Sequence, residues 1–347
     1  MIPRCPAIDP VSPGAYPEYD VVVSSRLRLD RNLEGFHFPW IAPAEENAAA
    51  RERMRLAAER AGFVCVDTGR LDAAERSELA ERGIASRPYL IDDAKCMAFS
   101  PDRSLWAIFN DSAHCSLQSS LPGLSLSKAW ELASGADDLF EAELGWAFDP
   151  VAGYVQADGI RCGTGLCASV LLHLPALSMS GLTDTVFRRV MEAGFIVEGS
   201  YATRAPSAGS LFSIALPEPY REPERASLER LEKTARLIAE YERRARADAL
   251  GKAPWELRDS VGRAFGLLSN AYLLSREESA DIVSGIRLGL AMDVLSGMDM
   301  AEATELWVSL RLARGEGDNA WPDAAIRAKS ARRAASRIRV AKGFDDV

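Results

Sequence analysis

The sequence has no apolar run long enough to span a bilayer, which excludes a helical membrane protein. Its first residues, MIPRCPAIDPVSPGAYPEYD, lack the continuous apolar core of a secretion signal, so a cytoplasmic location is the expectation. Positive charge is in the minority: 41 Lys and Arg stand against 50 Asp and Glu, a formal net charge of −9. That argues against wholesale nucleic-acid binding and leaves room only for a local basic patch. The six cysteines, Cys5, Cys65, Cys96, Cys115, Cys162 and Cys167, form no C-x-x-C pair and no zinc spacing. Reduced thiols are expected, with no disulfide framework and no metal site. There is no exact internal repeat and no long low-complexity tract.

The 347 residues suffice for one large domain or two ordinary ones. At 48% hydrophobic and 26% charged, the composition is that of a chain with a packed core. Proline-rich residues 1–18 read as irregular. The segment from Tyr19 begins as a strand and breaks into charge. Alanine-rich 44–62 reads as a helix stopped by Gly62, and 70–82 as a shorter one. AKCMAFS and SLWAIFND around PDR read as a hairpin. Residues 124–145 and TDTVFRRVMEAG read as helices, and WAFDPVAGYVQA as two short strands about a turn. FIVEGSYATRAPSAGSLFSIAL gives strand, loop, strand. Residues 225–247 put Leu228, Leu231, Ala235, Ile238 and Tyr241 on one helical face, with a charged, solvated face opposite. Beyond GKAP the pattern is helical throughout, near 255–275, 276–297, 300–314 and 323–341. The expected architecture is α+β over 19–247, followed by a small all-helical domain over 248–347.

The stretch GIRCGTGLCASVLLHLP raises a sharper question. A glycine turn, Gly163-Thr164-Gly165, runs into an apolar segment read as a helix. Free N–H groups and the positive end of a helix dipole suit a phosphate. The residue where a cation would help is Cys167, which carries no charge. A nucleotide site, the remains of one, and a plain capped helix all fit.

Several motifs taken together resemble a known family. VVVSSRLRLDRNLEGFHFP, FNDSAHCSLQSSLPGLSL, WAFDPVAGYV with CGTGLCASVLLHLPAL, and GFIVEGSYATRAPSAGSLFSI follow in the order and spacing of the ATP:guanido phosphotransferases, the phosphagen kinases. LRDSVGRAFGLLSNAYLLSREESADIVSGIRLGL extends the likeness to the C-terminal domain of the bacterial protein-arginine kinase (McsB) branch. The resemblance runs from Tyr19 to about Val340. It implies an antiparallel sheet flanked by helices, and transfer of the γ-phosphoryl group of Mg-ATP to arginine side chains of proteins. By the same analogy the partners would be an active arginine kinase, its zinc-binding activator or a Clp-type chaperone, with room for a dimer.

Such chemistry needs guanidinium groups on the phosphates and a carboxylate that orients the acceptor and takes its proton. The resemblance assigns Ser24, Ser25, Arg26 and Arg28 to the ATP-contacting segment, with Arg31 following, and Gly163, Thr164 and Gly165 to the turn beside the phosphates. It puts Ser112, preceded by Asp111, where the family has its catalytic glutamate. Ser116, Cys167 and Glu198 stand where the family has phosphate-binding arginines. Asp158 stands at the reactive cysteine and Thr203, beside Arg204, at the second guanidinium-binding carboxylate. His114 is retained, a residue that serves structure as readily as function. Cys162 and Cys167 read as small, half-buried residues. In the helical part, KSARRA matches the branch's phosphoarginine motif at Arg333 and Ala334. Lys329 and Ser330 replace its Arg and Asp, and Arg332 adds a charge.

A charge-assisted hydrogen bond contributes roughly 1.5–3 kcal/mol, so three lost arginines remove several kcal/mol of phosphate affinity. Loss of a general base costs about 10²–10⁴ in rate. The expectation is an inactive or impaired arginine kinase with a regulatory or scaffold role. The alternatives are an active kinase that draws on Asp111, Asp158 or Glu198 with Arg161 or Arg204, and a phospho-protein-binding module built on Lys329, Arg332 and Arg333.

Overall fold

The computed structural model describes residues 16–199, 208–217, 222–252, 254–312 and 322–341. Its centre is an eight-stranded antiparallel sheet. The strands are β1 (Val22–Arg31), β2 (Val64–Asp67), β3 (Cys96–Phe99), β4 (Leu105–Phe109) and β5 (Cys115–Pro122), then β8 (Leu166–His173), β9 (Ile196–Gly199) and β10 (Leu211–Ala215). Between them β6 (Phe148–Asp149) and β7 (Gly153–Tyr154) form a separate small hairpin. The sheet order is β2-β3-β4-β5-β1-β8-β10-β9, so the first strand lies in the middle.

One face of the sheet is buried. Helix α1 (Ala44–Arg60) presents Ala50, Met54, Ala57 and Ala58 to the core. Helix α4 (Leu126–Leu144) presents Leu126, Ala129, Ala133, Phe140 and Leu144, and ends where Gly145 takes φ +70°. The strands answer with period two: Leu27 and Leu29 from β1, Leu117 from β5, and Val170 and Leu172 from β8. Between β2 and β3 the chain makes an excursion through α2 (Ala73–Glu81) and α3 (Arg87–Ile91). Asp72 and Glu75 start α2 as a reciprocal capping box, at 2.8 and 2.9 Å. This excursion covers the opposite face of β3 and β4, where Met97, Phe99, Trp106 and Ile108 form a smaller core with Leu79, Ile84 and Leu90.

Two short helices follow, α5 (Pro175–Met179) and α6 (Thr183–Glu192), then the long α7 (Glu224–Lys252). Leu228, Leu231, Ala235 and Ile238 of α7 are buried and Tyr241 packs beside them, as the periodicity requires. Its charge run is only partly solvated. Arg236 pairs with Glu232 one turn away, but Glu242 is fully buried and accepts from the Ala176 and Leu177 N–H groups at 3.1 and 3.0 Å. Arg246 joins Glu242 to Asp20. Heptad-scale pattern cannot separate such anchors from solvated charges, because their partners come from α5 and from the segment before β1.

The remaining helices are α8 (Pro254–Asn270), α9 (Arg276–Ala291), α10 (Met300–Leu312) and α11 (Asp323–Ala335), with a two-residue ladder of β11 (Leu295–Ser296) on β12 (Arg339–Val340) that the helical reading missed. They enclose their own core. Val23 joins it: the β1–β8 register shifts between Val22 and Ser24, which turns Val23 toward these helices. Among the described residues no helix is long and apolar enough to cross a membrane, and no cluster of His, Cys, Asp and Glu is arranged to hold a metal.

Candidate functional site

A cleft of about 450 Å³ opens on the sheet face that α1 and α4 leave uncovered. Its floor follows from strand alternation. Because Leu27 and Leu29 point into the core, Arg26 and Arg28 point the other way, and the register sets Arg28 between Gln118 of β5 and Cys167 of β8. Ser169 lies beside Arg26, and Glu198 on β9 forms part of the far wall.

Arg26 and Arg28 are each held by protein groups. Arg28 donates from Nη2 to Cys167 Sγ at 3.1 Å, and its Nε lies 3.2 Å from Asp30 Oδ2. Asp30 in turn accepts from Ser116 Oγ at 2.5 Å. Arg26 donates from Nη2 to the Gly83 carbonyl, and its guanidinium carbon stands 5.9 Å from the centre of the Trp106 ring. The exposed Glu198 carboxylate shares the lining with them. Gln118, Gly83 and Asp30 were not singled out by the sequence reading. Gln118 and Asp30 follow from counting by two from Ser116 and Arg28, whereas Gly83 has no local signal.

The other predicted positions are scattered by the fold. Ser24 shares the face of Arg26 but lies outside the cleft lining. Ser25 points into the core, accepting from Ser125 N at 2.9 Å and donating to the Gly123 carbonyl at 2.8 Å, so the assignment of Ser25 to an ATP-contacting face is corrected. Asp111 and Ser112 are exposed on the β4–β5 loop. His114 is buried, with Nδ1 3.0 Å from Asn32 Oδ1, and burial pushes its pKa down to about 4. Asp158 caps a short 3-10 turn by accepting from Ile160 N at 3.0 Å. Cys162 is buried and receives the Gln156 N–H at 3.3 Å. Cys167 is half-buried against Arg28. Thr203 and Arg204 lie outside the described residues.

The glycine turn is the largest correction. Gly163-Thr164-Gly165 opens no helix; it feeds the central strand β8. Leu166, Ala168, Val170 and Leu172 are buried while Cys167, Ser169 and Leu171 are not, a period of two hidden inside an apolar run of helical length. The turn therefore brings no helix dipole to the cleft. One of the turn's N–H groups and that of the residue after it are spent internally, Gly163 N on the Tyr154 carbonyl at 3.4 Å and Leu166 N on Thr164 Oγ1 at 3.2 Å. The turn is organised around Arg31, whose Nη1 donates to the Thr164 carbonyl and to the Asp30 carbonyl, each at 3.0 Å. Arg31 also grips Asp137 with bonds of 2.6, 3.0 and 3.2 Å and stacks 3.5 Å from the centre of the Tyr154 ring. Burial raises the pKa of Asp137, against the pull of Arg31 and Trp146. Gly165 has φ +65°, and a Cβ there would lie 2.6 Å from both Arg31 Nη1 and the Asp30 carbonyl. Arg31 is thus an internal clamp facing away from the cleft.

A second groove, of about 790 Å³, lies between α10 and α11. Arg333 and Ser330 line it, but Lys329 and Arg332 do not. Lys329 is exposed outside the lining, and Arg332 bonds the Ala271 carbonyl and stacks on Tyr272 at 4.8 Å. The expected triad of cations is therefore not assembled. Glu302, paired with Arg337 at 2.6 Å, and Glu305, paired with Arg82 at 2.7 Å, occupy the opposite wall.

Comparison with known proteins identifies the family and the fold. Residues 46–245 match the ATP:guanido phosphotransferase C-terminal catalytic domain, and residues 254–314 match the protein-arginine kinase McsB C-terminal domain. A protein-arginine kinase from Moorella thermoacetica is 34% identical over 309 residues, 86% of this chain and 88% of that one. One from Halothermothrix orenii is 33% identical over 304 residues, 86% and 87% of the two chains. Among solved structures, lombricine kinase superposes with a TM-score of 0.58 at 17% identity, covering 71% of this chain and 72% of its own. The duplicated taurocyamine kinase of Schistosoma mansoni gives 0.59 at 17% identity, over 78% of this chain and 42% of that longer one. These structural likenesses establish the fold alone. The identity to whole-length relatives goes further: the chain belongs to the ATP:guanido phosphotransferase family, in its protein-arginine kinase branch.

Proposed function

We propose that this family member has lost, or retains only in impaired form, phosphoryl transfer from Mg-ATP to protein arginine, and serves a regulatory or scaffolding role. One observation carries the reading. The positions that the resemblance gives to phosphate-binding arginines hold Ser116, tied to Asp30; Cys167, against Arg28; and Glu198, an exposed carboxylate on the cleft wall. Arg26 and Arg28 remain, each bonded to protein groups, and a carboxylate shares their cleft. Among the described residues the cleft thus offers two guanidinium groups beside a carboxylate, a poor match for a triphosphate, whose charge needs several guanidinium groups. Ser112 offers a hydroxyl where a carboxylate base is required. The partners of such a protein would be an active arginine kinase, its activator or a Clp-type chaperone.

The test is direct. Purified protein, radiolabelled ATP and an arginine-rich acceptor are expected to give no acid-labile phosphoarginine, and robust labelling would reject the reading in favour of an active kinase that draws on Asp111, Asp158 or Glu198. A second reading, recognition of phosphorylated protein segments, is favoured by Arg333 and Ser330 in the 790 Å³ groove. Titration with phosphoarginine peptides separates it: R333A should abolish binding while K329A leaves it intact, and indifference to R333A ends the idea.

A further inference from the structure

We propose that Glu81 and Arg82, docked on the C-terminal helices, position Arg26 in the cleft through the Gly83 carbonyl. This inference rests on the reading of the cleft as a remodelled kinase site. Four consecutive residues at the end of α2 carry the link. Glu81 is buried and accepts from Arg276 of α9 at 3.2 Å, from Arg311 of α10 at 2.7 and 2.9 Å, and from Arg87 at 2.6 Å. Arg82 makes paired bonds to Glu305 of α10, at 2.7 and 3.1 Å. The next carbonyl, that of Gly83, receives Arg26 Nη2. The one after, that of Ile84, receives Trp106 Nε1 at 3.2 Å, under the same Arg26 guanidinium.

The physical chemistry makes this arrangement stiff. Burial works against the Glu81 charge, and Arg311, Arg276 and Arg87 outweigh it, holding the carboxyl below its usual range. Such a carboxylate cannot leave its guanidinium groups without a large penalty, so α2 follows α9 and α10. Gly83 has φ +68°, and a Cβ there would stand 3.0 Å from Arg26 Nη2, so the close approach of backbone to guanidinium depends on glycine. A displacement of the helical unit reaches Arg26 within two residues of the dock. Glu81 and Arg82 are positioning residues: neither lines the cleft.

The experiment uses the full chain labelled with fluorotryptophan, with the Trp106 fluorine resonance assigned by W106F. E81Q and E305Q should each move that resonance toward its position in R26A, and neither should move it further when combined with R26A. Trp146, bonded to Asp137 at 3.0 Å, should keep its resonance throughout. Joint movement of Trp146 and Trp106 would mean a general loosening and would refute the proposal. An unmoved Trp106 in both seam variants would refute it as well. If E81Q fails to fold, E305Q carries the test, since Glu305 is partly exposed. The readout needs no nucleotide, so a separate triphosphate titration that shows no binding counts against a nucleotide cleft and not against this link.

Discussion

Replacing Glu198 isolates the electrostatic argument from the rest of the fold. The side chain is exposed on β9 and lines the cleft with Arg26 and Arg28, so its removal perturbs no core. Two unit charges about 4 Å apart in water interact by about 1 kcal/mol, and each 1.4 kcal/mol is a tenfold change in affinity. A triphosphate brings more than one charge, screened at physiological salt over about 8 Å. E198Q should therefore tighten triphosphate binding by roughly tenfold at low salt and by less at high salt. E198R adds a charge-assisted bond of roughly 1.5–3 kcal/mol and should gain on the order of another tenfold or more. Calorimetry with Mg-ATP at two ionic strengths measures both. Equal affinity in wild type, E198Q and E198R would refute the reasoning, as would tight wild-type binding insensitive to salt.

Three further outcomes follow from the same geometry. The two buried histidines predict acid sensitivity: His114 is held near 4 and His173 well below its ordinary value, both by burial first. An unfolded histidine titrates near 6.5, so between about pH 6.5 and 4 the unfolded chain binds more protons and stability falls as pH falls. His114 alone accounts for about 3 kcal/mol over that span, and urea melts of H114N against wild type between pH 7 and 5 should show a shallower pH dependence in the variant. R31A strands Asp137 in the core and should cost about 3–5 kcal/mol in urea unfolding. G165A meets both a left-handed backbone and a 2.6 Å contact, so it should destabilise by roughly 1–3 kcal/mol without changing the net charge of the cleft.

Legibility in the sequence followed the range of the interactions. The α4 stripe, the β3–β4 hairpin and the Asp72–Glu75 box are local, and each could be read from a few neighbouring residues. The alternation that exposes Arg26 and Arg28 is equally local. β8 was misread because an eight-residue apolar strand behind a glycine turn looks like the start of a buried helix until its partners are known. Arg31 was noted only as following the ATP-contacting segment, since nothing nearby announces Asp137, more than a hundred residues further on. The seam at Glu81 was invisible for the same reason: its arginines arrive from α9 and α10. Motif resemblance supplied the cleft positions, and the strand alternation then separated those that meet there from those, such as Ser25, that do not.

The central seat of β1 has a consequence for how the chain is made. Val22–Arg31 leaves the ribosome early, yet its neighbours in the sheet, Cys115–Pro122 and Leu166–His173, are synthesised much later. Until then the strand bearing Arg26 and Arg28 has two unpaired edges and no home. Collapse of the sheet must wait for these distant pairings, a slow, high-contact-order closure that leaves unpaired strand edges exposed in the nascent chain.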